Sequence, residues 1–310
     1  MTDFAFQQCG KDIKMATKGF RQLLGDRQEL IDSLVCVGLD PIPEKLPACL
    51  VSGLSDFHLA TDIAVWMEEV IDATALFASM FKPQKAHWEA FPNGAWALQK
   101  VVKHIRRNHP GIPIFLDCKR NDIDRTQQRY QIAHFEIDGV DGMNFSPYMG
   151  EDCIKDLINR KHLERALVGL CYTSNPSARE IQDIELASGQ LLWEFIAERT
   201  LAWAKDLGVV ENAGLVMAAA YEKPEGSGNI YSEHLTRCRE IVGNELWFLT
   251  PGIDAQGGFI AETVQAAYVG HGSIAINSSS GICLASQGED FAEAAAEKAR
   301  QLRDTIRAAQ

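Results

Sequence analysis

The chain has 310 residues, 46% of them hydrophobic and 23% charged, with a formal net charge of −12. That is enough apolar material for one large core, in either one barrel-sized domain or two ordinary ones. The acidic balance argues against a nucleic-acid partner. The lack of both an apolar run of about 18 residues and a basic-then-apolar leader argues against a membrane, so a cytoplasmic protein is expected.

In chain order, residues 4 to 32 read as helical, with Ile13, Phe20, Leu23, Leu24 and Leu30 recurring among charges. This predicts an N-terminal helical extension, 1–32, packed on the outside of the domain that follows. From 33 to 310 short apolar runs alternate with longer amphipathic ones. The short runs are 34–39, 79–82, 112–116, 139–145, 166–171, 214–218, 246–249 and 273–276. Helical patterns lie near 59–77, 91–108, 124–136, 150–161, 188–207, 230–242, 258–269 and 288–308. Eight strands each followed by a helix predict an α/β chain folded as a (β/α)8 TIM barrel, one domain over 1–310. A doubly wound open sheet is the structural alternative. The Gly/Ser/Pro-rich patches at 223–228 and 277–281 are too short to separate domains and read as loops. Eight cysteines without a C-x-x-C pair predict reduced thiols rather than a disulfide scaffold or a zinc site.

The chemistry concentrates in Ile114-Phe115-Leu116-Asp117-Cys118-Lys119-Arg120-Asn121-Asp122-Ile123. In an extended strand Asp117 and Lys119 emerge on one face and Cys118 on the other, toward the outer layer. Both an active site and a surface salt bridge at a strand end fit that spacing. In a barrel of this kind, chemistry sits on the loops after the strands' C-terminal ends. Asp40, Lys82, Asp117, Lys119, Ser146, the Thr173 segment, Gln256 and residues 278–281 all fall there. Each also has a plainer reading: Asp40-Pro41 as turn chemistry, Lys82-Pro83 as a strand end, Thr173–Pro176 as a capped turn, Gly252–Gly258 as tight turns. His87, His104, His234 and His271 show no partner spacing and read as structural or exposed. Two acids and two lysines ringing one mouth form an alternating charge array in which the lysines stay protonated. A fixed ammonium can then protonate a carbon and stabilise developing carbanion charge. Carboxylates facing a bound carboxylate favour its departure. Such an array suits decarboxylation with no cofactor and no metal.

Asp117-Cys118-Lys119-Arg120-Asn121-Asp122-Ile123 also resembles the D-x-K-x-x-D-I signature of the orotidine 5'-monophosphate decarboxylase family. Further segments fit in order: Cys36–Pro41, Phe81–Gln84, Ser146–Gly150, Thr173–Pro176 and Pro251–Gly258. Together they resemble the family's longer bacterial branch, over about 34 to 283. The resemblance implies that Lys119 protonates C6 of the pyrimidine as carbon dioxide leaves, with Asp117 beside the substrate carboxylate and Lys82 completing the array. It implies that Asp122, with Ile123 and Thr126, crosses a homodimer interface into a partner's site. Asp40 and Lys82 would hold ribose hydroxyls, while Ser146, Thr173, Ser174 and Asn175 would surround the base. Pro251, Gln256, Gly257, Gly258, Ser279 and Ser280 would lie toward the phosphate, with backbone N–H groups of the glycine turn available to the anion.

The chain departs from the branch at that end. Where the branch reads Asn-Ser-Ser-Arg-Gly-Ile, this chain has Asn277-Ser278-Ser279-Ser280-Gly281-Ile282, and Asp254 stands where glycine is usual. A serine hydroxyl cannot replace a bidentate guanidinium on phosphate. Three readings remain: an orotidine 5'-monophosphate decarboxylase whose phosphate is held by other groups, a decarboxylase of a related nucleoside with an altered or missing phosphate, and a non-catalytic nucleotide-binding paralogue. A related branch acting on sugar phosphates uses a similar element with magnesium; the Lys82, Thr173–Pro176 and Gln256 segments favour the pyrimidine branch.

Overall fold

The computed structural model describes residues 18–158, 161–253 and 259–310. Eight parallel strands form its main sheet: β1 (Val35–Leu39), β2 (Met80–Pro83), β3 (Phe115–Arg120), β4 (Gly142–Phe145), β5 (Ala166–Tyr172), β6 (Ala213–Met217), β7 (Trp247–Thr250) and β8 (Ile274–Ser278). Neighbours run in chain order, with β8 beside β1. The edges at β2 and β3 are joined by parallel bridges Phe81↔Ile114 and Gln84↔Asp117, so the sheet closes on itself. Closure removes the exposed edges an open sheet would leave. The predicted (β/α)8 barrel is what forms, and the open-sheet alternative is excluded.

The outer layer includes α2 (Asp56–Thr74), α3 (Gly94–Asn108), α4 (Asp124–Gln131), α5 (Leu192–Asp206), α6 (Glu233–Val242), α7 (Ile260–Ala267) and α8 (Phe291–Ala309). All but α4, whose buried residues are Gln127 and Gln131, bury an apolar stripe, as in Ala97, Leu98, Val101, Val102 and Ile105 of α3. These stripes meet outward-facing strand residues such as Val37, Phe81, Leu116 and Phe248 in one core. Two helical expectations shorten or change character. The 150–161 pattern yields only one turn, Asp152–Lys155, and α4 passes into a π-helical turn over Ile132–Asp138.

The N-terminal expectation is corrected. Residues 4–17 lie outside the described residues, and the helix that is described, α1 (Phe20–Ile31), does not lie on the outer layer. Phe20 and Leu24 enter the barrel interior, in one cluster with Cys36, Met80, Phe115, Val168, Trp247 and Ala275. The Phe20 ring stacks on Trp247 at 5.3 Å and meets Phe115 edge-on at 6.1 Å. Gln28, fully buried, donates to the Ile274 carbonyl (2.8 Å) and accepts from Gly272 N–H (2.7 Å). Buried positions at i, i+4 and i+8 thus face the floor of the barrel, which α1 seals. Amphipathic periodicity says that a face is buried but not against what.

With the floor sealed by aromatics, strand alternation sets the mouth. Met80 and Lys82 share an inner face, as do Phe115 and Asp117, so two residues further up each strand apolar filling gives way to charge. Gly142 supplies room for that filling, since a Cβ there would lie 2.8 Å from the Phe115 ring.

Candidate active site

At the C-terminal mouth of the barrel, Asp117 joins two lysines. Lys119 Nζ donates to Asp117 Oδ1 at 2.5 Å, and Lys82 Nζ to Oδ2 at 3.3 Å. The three side chains differ in exposure: 4% for Lys82, 14% for Asp117 and 48% for Lys119. Burial alone would pull the Lys82 ammonium down, but the Asp40 and Asp117 carboxylates outweigh it and hold Lys82 above its ordinary range. Burial would push the Asp117 carboxyl up; Lys82, Lys119 and the Asn144 amide hold it well below the usual carboxylate range. Both groups are therefore charged at neutral pH, and the buried cation and anion compensate each other.

The expected shared face of Asp117 and Lys119 is reached by a route other than a regular strand. Pairing between β3 and β4 shifts register between Leu116 and Arg120, and Lys119 sits at φ +47°. That left-handed conformation is uncommon outside glycine. It is held by Asn144, whose Oδ1 accepts the Cys118 and Lys119 N–H groups (2.8 and 2.6 Å) while its Nδ2 donates to Asp117 Oδ1 (2.6 Å). One buried amide thus fixes both the bulge and the carboxylate. Sequence reasoning passed over Asn144; its signal is an asparagine at inward parity, two residues before Ser146 in an apolar run. Cys118 packs toward the outer core as expected, and burial pushes its thiol up to about 12, which leaves it inert as a nucleophile.

Behind the motif, Arg120 Nε donates to His134 Nε2 (3.0 Å), His134 Nδ1 donates to Asp138 (2.9 Å), and Lys85 donates to the same Asp138 oxygen (3.0 Å). This buried chain ties the end of β3 to the π-helical turn. It accounts for charged residues that the mouth does not use.

A cavity of about 770 Å³ opens over the array. Lys82, Asp117 and Lys119 line it with Ser146, Thr173, Ser174, Asn175 and Pro251. The Thr173 loop is braced by Gln182, which accepts Thr173 N–H (2.9 Å) and donates to its hydroxyl (2.8 Å), and by Arg179, which donates to its carbonyl (2.9 Å). Neither brace was anticipated from sequence. Asp40 lies close enough to Lys82 to raise it, and its buried Oδ1 has no hydrogen-bond partner among the described residues. Ser279 sits where β8 meets β1. Its Oγ accepts from Asn277 Nδ2 at 3.3 Å, and a Cβ on Gly38 would fall 2.0 Å from that oxygen, so only glycine admits this approach. Ser280 is exposed in the single turn Ser280–Cys283. Gln256, Gly257, Gly258 and Asp254 lie outside the described residues. Asp122, Ile123 and Thr126 do not line the cavity of their own chain; they line a separate open depression of about 550 Å³.

A second cavity, about 540 Å³, adjoins the first through Thr173, Ser174 and Asn175 and runs beneath a hairpin of Tyr221–Glu222 with Ile230–Tyr231 to Phe259. Arg179 and Lys223 line it. The hairpin is anchored from below by buried His234, whose ring stacks on Tyr172 (4.4 Å) and Tyr231 (5.2 Å) and whose Nε2 donates to the Ala218 carbonyl (2.8 Å).

Comparison with known proteins agrees with this geometry. The model of the "Orotidine 5'-phosphate decarboxylase / HUMPS family" matches residues 33–296. An orotidine 5'-phosphate decarboxylase of Variovorax paradoxus is 37% identical over 94% of this chain and 98% of its own. One of Bordetella avium is 40% identical over 89% of this chain and 94% of its own. Among solved structures, the OMP decarboxylase of Leishmania donovani superposes with a TM-score of 0.71 at 29% identity, covering 93% of this chain and 99% of that one. A Plasmodium berghei structure at 20% identity, TM-score 0.73, covers 93% of this chain and 99% of its own and speaks for the fold alone.

Proposed function

The chain belongs to the orotidine 5'-phosphate decarboxylase family, and from that membership we propose how its residues divide the reaction. It is a carboxy-lyase of pyrimidine synthesis, converting orotidine 5'-monophosphate to UMP. The bond from C6 to the carboxylate breaks, carbon dioxide leaves, and the electron pair remains on C6. The Lys119 ammonium delivers the proton to that carbon and regains one from solvent. Asp117 faces the substrate carboxylate, favouring its loss, and Lys82 holds the pair in register. The observation that carries this reading is the Lys82–Asp117–Lys119 array, with its charges kept by mutual compensation in a cavity large enough for a nucleotide.

Around that centre, the unpartnered Oδ1 of Asp40 suits a ribose hydroxyl. Ser146, Thr173, Ser174 and Asn175 suit the base. Pro251, Gln256, Gly257, Gly258, Ser279 and Ser280 are assigned to the phosphate end. Because Ser280 brings no charge, we assign the compensating cation to Lys223 of the hairpin, which lines the adjoining cavity. Asp122, with Ile123 and Thr126, is assigned to a second copy's cavity in a homodimer. Their position away from their own chain's cavity supports this, as does the 36% exposure of Ile123. The chain is proposed as one domain working in the cytoplasm; the free thiols of Cys36, Cys49, Cys118, Cys153, Cys171 and Cys238 suit a reducing compartment. No helix among the described residues is long and apolar enough to cross a membrane.

Serine at 280 also favours a second reading, in which the preferred substrate is a nucleoside with an altered or missing phosphate. Loss of the orotate chromophore, followed with orotidine 5'-monophosphate and with unphosphorylated orotidine, separates the two. Turnover of the phosphate ester at a far higher kcat/KM supports the first reading. Preference for the nucleoside overturns it.

A further inference from the structure

On the opposite face of the barrel from the mouth, the C-terminal ends of α2 and α3 bring together three side chains that belong to no part of the site above. Asp72 Oδ1 accepts from His104 Nε2 and from His109 Nε2, each at 2.7 Å. The three potential ligand atoms all lie within 4.8 Å of one another. The two imidazole rings are tilted by 52° with centroids 6.2 Å apart, so both Nε2 atoms converge on one point while the ring bodies diverge. His104 and His109 are 17% and 21% exposed and Asp72 51%, which leaves one side of the cluster open to water.

We propose that Asp72, His104 and His109 form a site for a divalent transition metal of the Zn2+ class. Two imidazoles and one carboxylate with an open position are a donor set suited to Zn2+, Co2+ or Ni2+ rather than to Mg2+ or Ca2+, which favour all-oxygen shells. Around a tetrahedral zinc with bonds near 2.0–2.1 Å, ligand atoms sit about 3.3 Å apart. The carboxylate oxygen here has to back away from each nitrogen by only about half an ångström to reach that spacing. On binding, each neutral imidazole carries its proton on Nδ1 and offers the Nε2 lone pair to the metal. Asn108 is the nearest group able to steady that tautomer: its Nδ2 now lies 3.1 Å from His104 Nδ1 and 3.3 Å from Nε2, and turning the amide on metal binding would present its oxygen to Nδ1–H. Water fills the open side. The metal joins two helix ends that are otherwise linked here by these hydrogen bonds, so its expected effect is on stability rather than turnover. The spacing of His104 and His109, four residues between them, named no site by itself because the third ligand, Asp72, comes from the preceding helix, more than thirty residues earlier.

The test uses untagged, chelator-treated protein titrated with Zn2+, then with Co2+ as a spectroscopic reporter. One equivalent of Co2+ should give visible d–d bands displaced by Zn2+. Saturating Zn2+ should raise the melting temperature by several degrees, roughly what preferential binding to the folded state produces at 100-fold excess over Kd. His109→Gln and Asp72→Asn should each lower Zn2+ affinity at least about 10-fold, a typical cost of removing a ligand or its support, with melting temperatures in chelator close to the parent's. Turnover of orotidine 5'-monophosphate should be the same with and without Zn2+. No binding at 100-fold excess over a micromolar probe, or binding that survives both substitutions, overturns the proposal.

Discussion

Replacing Lys119 by alanine separates chemistry from stability more cleanly than any other change at the mouth. Its ammonium is assigned two tasks: proton delivery, worth about 10²–10⁴ in rate, and stabilisation of carbanion charge, worth about 10²–10³ for one preorganised group. Groups acting as a unit do not multiply fully, so the expected loss in kcat is at least about 10⁴, or roughly 5 kcal/mol in the barrier. The fold should barely register the change. The side chain is 48% exposed, and Asp117 retains Lys82 at 3.3 Å and Asn144 at 2.6 Å. Unfolding free energy should therefore move by no more than about 1 kcal/mol. The assay pairs chromophore loss with thermal unfolding on the same preparation. A folded Lys119→Ala variant that keeps more than a tenth of the parental kcat refutes the assigned role. A variant that loses activity because it unfolds shows that the charge is structural.

Asp117→Asn should behave in the opposite way, destabilising by about 3 kcal/mol because Lys82, 4% exposed, is left with one compensating carboxylate fewer; adding Lys82→Met should recover part of that loss in a double-mutant cycle read by urea midpoint. The pH behaviour follows from two signs. Asp117 is depressed, so its stabilisation is full above the unfolded carboxyl range and is lost only as pH falls through its low folded value. Lys82 is raised, so its contribution is full below the unfolded lysine value and is lost only above its raised one. Stability between these extremes should instead decline where His234, brought from 6.5 to about 4 by burial, must gain a proton. That loss should grow as pH falls from about 6.5 toward 4, to about 3 kcal/mol at most, and a His234→Gln variant that shows the same acid slope contradicts the assignment. Mixing inactive Lys119→Ala with inactive Asp122→Ala chains should restore about a quarter of parental activity per dimer-equivalent, since a random hybrid carries one intact shared site; none under verified subunit exchange argues against sharing. Lys223→Ala should raise KM for orotidine 5'-monophosphate about tenfold while leaving orotidine unaffected, and an equal effect on both substrates removes Lys223 from the phosphate end.

The barrel was legible because eight apolar runs alternate with amphipathic ones, and the mouth because Asp117 and Lys119 stand two apart at the end of one run. What sequence periodicity could not convey was where faces meet. The helix carrying Phe20 and Leu24 displays a buried stripe, yet nothing local distinguishes an outer layer from the barrel floor that it seals. The third strand was expected to end at Leu116 but continues to Arg120, because Asn144, on the neighbouring strand, stabilises the bulge at Lys119. Asn144, Gln182 and the Asp72–His104–His109 cluster share that character. Each depends on a partner from another element, Asp72 in the case of His104 and His109, and one-dimensional spacing does not reveal that pairing. The segment 254–258, which the motif assigns to the phosphate end, lies outside the described residues.

The most direct test of the central claim is turnover of orotidine 5'-monophosphate by protein exhaustively treated with chelator, with carbon dioxide and UMP both quantified. The Lys82–Asp117–Lys119 array predicts undiminished kcat and one carbon dioxide released per UMP formed. Loss of activity that returns on adding Mg2+ would contradict it, and would move the chain's chemistry to the metal-dependent branch.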